Sequence, residues 1–168
     1  MTETPPVGVG PAAHTGMNAV QRFFARPFFL SCTIGIPFCI FKILFGLAAI
    51  RAGDGELFRI AGFGITVWAT ADLLMNTARS LLDLLHRPAP FEYCTIAQLG
   101  RIVKRPLIFL AFDTLLTFTI ICAMLWTGWI GTLSPVEAAL WYAATTLNLI
   151  SLSFVSLYNE IRRNDTPS

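Results

Sequence analysis

The sequence predicts an all-α integral membrane protein, a four-helix bundle with both ends inside the cell and a short amphipathic cytoplasmic helix between spans two and three. Three observations predict it. Of 168 residues, 55% are hydrophobic and only 13% are charged, where an ordinary soluble domain carries about 25% charged residues. The apolar residues fall in four blocks, 27–50, 57–85, 107–130 and 136–158, each close to the roughly 20 residues that a helix needs to cross a hydrocarbon core. The basic residues outside the blocks are one-sided. Arg22, Arg26, Arg87, Arg101, Lys104, Arg105, Arg162 and Arg163 share one side, and the other has only Arg51 and Arg59. By the positive-inside rule the termini and the middle loop are cytoplasmic.

The chain divides into a polar tail over 1–17, one membrane domain over 18–163 and a short tail over 164–168. The first tail is rich in Pro, Gly, Thr and Ala without apolar periodicity, a composition that predicts disorder. It has no apolar stretch near its start, so no secretory signal is expected. Arg22, Phe23, Phe24 and Arg26 read as an interfacial lead-in to span one. Within that span Pro37 predicts a kink, tolerated where neighbours satisfy the freed carbonyl. Ser31, Cys32, Gly35, Cys39, Lys42 and Gly46 share a face whose small residues let another helix approach closely.

Span two carries Asp72, Asn76, Arg79 and Asp83 at spacings that stack them in one stripe. Such a stripe cannot face lipid, so other spans must cover it. His86, Arg87, Pro88 and Pro90 break the helix. The following 91–105 reads as amphipathic, with Cys94, Leu99, Ile102 and Val103 toward the membrane and Arg101, Lys104 and Arg105 toward water or headgroups. Pro106 opens span three, which has Asp113 and Thr117 on one face and Trp126 and Trp129 at its far end. Ser134, Pro135 and Glu137 have the spacing of a capping box opening span four, which carries Thr145, Asn148, Ser151 and Ser153.

Heights counted from the cytoplasmic edge at 1.5 Å per residue put Lys42 at about 22 Å, Asp72 at about 20 Å, Asp113 at about 10 Å and Arg79 at about 9 Å. Matching sign and level predicts two ion pairs, Lys42 with Asp72 and Arg79 with Asp113. Asn76 and Asn148 are expected to hydrogen-bond between helices. Lys42, Asp72, Asn76, Arg79, Asp113 and Asn148 form the candidate intramembrane cluster.

The functional expectation is a non-catalytic accessory or assembly component, in the inner (plasma) membrane, whose buried charge pairs fix helix packing. It would associate with itself or with a larger membrane protein in the bilayer. The alternative is a small oligomeric transporter or channel that uses the charged stripe. A lipid-acting enzyme using His86 and Glu92 comes third, so the reading leans away from an enzyme. No nucleic-acid partner is expected from a net charge of +2. No cofactor or metal is expected, because no His/Cys/Asp/Glu grouping has ligand spacing and no paired intramembrane histidines exist for haem. Cys32, Cys39, Cys94 and Cys122 lack C-x-x-C spacing and read as small packing residues.

Overall fold

The first span is the hub. In this computed structural model, which describes residues 27–52 and 55–164, 50% of its apolar window is buried, against 17%, 22% and 22% for the other three. It begins with α1 (Pro27–Leu30), passes through a π turn (Ser31–Gly35) and continues as α2 (Ile36–Ala52). Span two is α3 (Glu56–Leu84). The short α4 (Thr95–Ile102) then leads to α5 (Pro106–Thr127) and, after a 3-10 turn (Trp129–Thr132), to α6 (Pro135–Asn164). There is no strand among the described residues. Four of these helices are long and apolar enough to cross a membrane. The expectations for residues 1–26 and 165–168 lie outside the described residues.

Local chemistry accounts for the boundaries. Pro37 has no N–H to give the carbonyl four residues back, and the chain answers with the wider π turn just before it. The first-turn N–H of Phe28 donates to Asp83 Oδ2 of the antiparallel α3 at 3.1 Å, so a neighbour's carboxylate caps this helix. Asp83 is thus half-buried and engaged. Pro106 occupies the first turn of α5, and Gly128, with φ of 70°, closes it in the left-handed conformation. The capping box forms as expected: Ser134 N–H donates to Glu137 Oε2 at 2.8 Å, and Glu137 N–H to Ser134 Oγ at 3.4 Å.

Packing follows one rule: each outer span buries a single stripe against the hub. On α5 the stripe is Asp113, Thr117, Ile120 and Met124. On α6 it is Trp141, Ala144, Asn148 and Ser151. The remaining surface is Leu, Ile, Phe and Val, which suits an apolar solvent. Exposed hydroxyls of Thr70, Thr77, Thr119, Thr146 and Ser153 each donate to the carbonyl four residues back, so none is left unsatisfied in lipid. At one end Phe38, Phe41, Leu44, Met124 and Trp141 form the apolar core, with the Phe41 and Trp141 rings 4.8 Å apart and edge-on. Arg51 there pairs with Glu137 through both guanidinium ends, joining α2 to α6.

The closest approach is between α2 and α3. A Cβ built on Gly62 would lie 2.6 Å from Gly46 O, and one on Gly46 would lie 2.7 Å from Gly62 O. The small-residue face of span one therefore meets span two, as its spacing predicts. Gly64, two residues on, faces open space. Gly62→Ala is expected to lower stability by about 1–3 kcal/mol through overpacking. Gly64→Ala should be neutral or stabilising by up to about 1 kcal/mol. Thermal melting of both variants in mild detergent checks the contrast.

Candidate functional site

The candidate cluster gathers where α2, α3 and α5 meet, and Lys42 is its centre. Its ammonium is 3.4 Å from Asp72 Oδ2 and 2.5 Å from Asp113 Oδ1, and it sits 4.6 Å from the ring centroid of Trp68. Three donors on one nitrogen thus find two carboxylates and a π face. Lys42 is 1% exposed and Asp72 0%. The Lys42–Asp72 pair stands as expected; the Arg79–Asp113 pair does not. Asp113 belongs to Lys42, and Arg79 makes its contacts elsewhere. The reason is valence: height-matching assigns one acid per base, but an ammonium can serve two. The triad therefore holds one positive and two negative groups, so the charges around Lys42 do not balance.

The second carboxylate oxygen of Asp72 has a different use. Oδ1 accepts the backbone N–H of Thr95 at 2.7 Å and its hydroxyl at 2.8 Å. Trp68 Nε1 donates in turn to Thr95 Oγ1. Asp72 lies 12 residues before the end of α3, about 18 Å along the helix. The chain after α3 must therefore fold back along it to bring Thr95 to that height.

The polar stripe is the rail for this return. Arg79 donates to Phe91 O, its guanidinium carbon lies 3.9 Å from the Tyr93 ring centroid, and Glu92 Oε2 is 3.9 Å from its Nη1. Asn76 Nδ2 donates to Tyr93 O at 2.7 Å and to Asp72 O at 3.1 Å. Two further side chains complete the set. Gln98 Oε1 accepts Glu92 N–H at 3.0 Å, and Arg101 donates to Pro90 O at 2.7 Å. Irregular backbone away from water requires such partners, and here side chains supply them one turn at a time.

Helix α4 then descends beside α5, with Ala97 and Gly100 buried. A Cβ on Gly100 would lie 2.6 Å from Phe109 Cβ. Cys94, expected to face the membrane, is turned inward at 3% exposure because its Sγ caps α4 by accepting Ala97 N–H at 3.4 Å. Leu99, Ile102 and Val103 are exposed, and so are Arg101, Lys104 and Arg105. All four cysteines are free, and Cys122 alone is exposed.

Asn76, expected to bond between helices, donates to Cys39 Sγ of span one at 3.6 Å, whereas the buried Oδ1 of Asn148 has no hydrogen-bond partner. Thr33 and Ser151 share a 3.0 Å hydrogen bond between span one and α6 just below Asn148. Thr95, Trp68 and Tyr93 were missed from sequence. Trp68 lies one turn from Asp72 on the same helix, and that spacing was the available signal for it. No protein-family model, curated protein or solved structure matches the chain.

Removing the central ammonium should be costly. Lys42→Met leaves two buried carboxylates without their counter-charge and is expected to destabilise the protein by about 3–5 kcal/mol. Adding Asp72→Asn and Asp113→Asn to it should recover much of that loss. Size-exclusion profiles after graded heating compare the three proteins, and an unaltered Lys42→Met would remove the triad as a tie.

Proposed function

We propose that this chain is a non-catalytic component of the inner (plasma) membrane, acting as an accessory or assembly subunit, with both termini on the cytoplasmic side and the 86–105 segment entering the bundle from that side. The observation that carries this reading is the use made of the stripe. Asp72, Asn76, Arg79 and Asp83 are committed to the backbone of residues 91–95 and to the start of α1. Groups committed to holding chain in place are organising groups, and that use supports an assembly role. His86 is exposed, and Glu92 is engaged with Arg79 instead, which weakens the lipid-enzyme reading. Orientation rests on the one-sided basic residues. The domain runs over 18–163 with a polar tail at each end.

The wide apolar surfaces of α3, α5 and α6 supply room for a second copy or a larger membrane protein as well as for lipid. A second reading, a small oligomeric transporter, gains support from one observation: Lys42 faces two acids, and Asp113 is the one not committed to backbone.

Purification from native membranes in mild detergent tests the first reading. A stoichiometric membrane partner or a stable homo-oligomer is the expected outcome, and a lone monomer by light scattering counts against it. Proton or solute flux in liposomes that disappears in Asp113→Asn would move the assignment to the second reading. A reporter fused at the C-terminus should be active only in its cytoplasmic form.

A further inference from the structure

The hub is not covered all round. Spans three and four both lean on span one and barely touch each other, and between them lies a cavity of about 310 Å³. That is the lower end of the range for small-molecule sites. Phe38, Leu110, Phe118 and Leu152 give it apolar walls. Asn76, Asp113 and Asn148 also line it, and each brings an oxygen acceptor.

Two of those acceptors are unsatisfied. Asn76 is 2% exposed and Asn148 is 7% exposed, and the Oδ1 of each has no hydrogen-bond partner. For Asn76 the amide orientation is set by chemistry. Its NH₂ faces the carbonyls of Tyr93 and Asp72, so the oxygen must point the other way, into space that only a glycine at position 35 leaves free. A buried acceptor without a donor is costly and rare. Asp113 brings charge to the same cavity. Its triad carries one lysine against two carboxylates, and the extra acid is the one on the cavity wall.

We propose that this cavity binds a lipophilic amine: a compact apolar body against Phe38, Phe118 and Leu152, and a cationic N–H head toward Asp113 and the free amide oxygens. The head offers donors to these unmet acceptors, and its charge offsets the second carboxylate. The walls remove the apolar body from water and discriminate little by shape. Binding goes beyond the assembly reading and stands whether or not transport follows.

Saturable binding of radiolabelled octylamine to the full chain in phosphatidylcholine nanodiscs tests this, with 1-octanol as the neutral competitor of equal length. Octylamine should bind saturably, and octanol should compete at least tenfold more weakly. Asp113→Asn, which leaves Lys42 paired with Asp72, should weaken octylamine at least tenfold. Leu152→Trp fills the cavity from α6 without touching the triad and should also abolish binding; it decides the matter if the Asp113 variant fails to fold. No saturable binding to the wild type, equal competition by octanol, or wild-type affinity in folded Asp113→Asn or Leu152→Trp would each overturn the assignment.

Discussion

An ammonium with no water around it must find its counter-charges within the fold, and Lys42 finds them on two different helices. That requirement orders the bundle. Desolvating an ion costs several kcal/mol even after relaxation, and attraction offsets this only where further hydrogen bonds complete the shell. Thr95 completes it for Asp72 by giving both its N–H and its hydroxyl. On the proposed reading the triad acts as a register device more than as a source of net stability. Sliding α3 by one turn would leave Lys42 without Asp72 and Asp72 without Thr95 together. The fourth span is tied to the hub differently, by Arg51 with Glu137 at one end and Thr33 with Ser151 toward the other. Exposure of the Arg51 guanidinium makes the first of these the weaker contributor.

The return of residues 91–95 along α3 depends on the same scarcity of water. Backbone that is not in a helix cannot satisfy its own polar groups, so each needs a partner at the correct height. Asp72, Asn76 and Arg79 are about one turn apart, and they meet Thr95, Tyr93 and Phe91, every second residue of the returning chain. The stripe and the segment present their partners in the same order, and that match is what lets one dock on the other.

The spans were readable from apolar length, and the caps from Ser134, Pro135, Glu137 and Pro106, because these signals are local. The polar stripe was readable from its period, and so was the small-residue face that meets α3. The partners of Arg79 were not. Height-matching compares side chains with side chains and assumes that loops remain outside the bundle, whereas Arg79 makes its contacts with a loop carbonyl and an aromatic face. No periodicity in a sequence announces a backbone acceptor. Asp113 escapes height-matching for a related reason: a level counted along α5 alone does not say how that helix sits against span one, where the Lys42 ammonium meets it.

The geometry of the hub also explains why its open sector lies where it does. Gly46 and Gly62 draw α3 against one side of span one until backbones touch, and the 91–95 segment with α4 fills the adjoining gap toward α5. On the remaining side α5 and α6 are held by stripes one residue wide, and those stripes point at the hub rather than at each other. Three outer helices of ordinary diameter do not enclose a central one unless they touch, and the last two barely do. An all-apolar gap of this kind would be filled by any acyl chain. This one has acceptor oxygens and a carboxylate on its wall, and burial of those atoms leaves their valence to be met by a guest rather than by the fold.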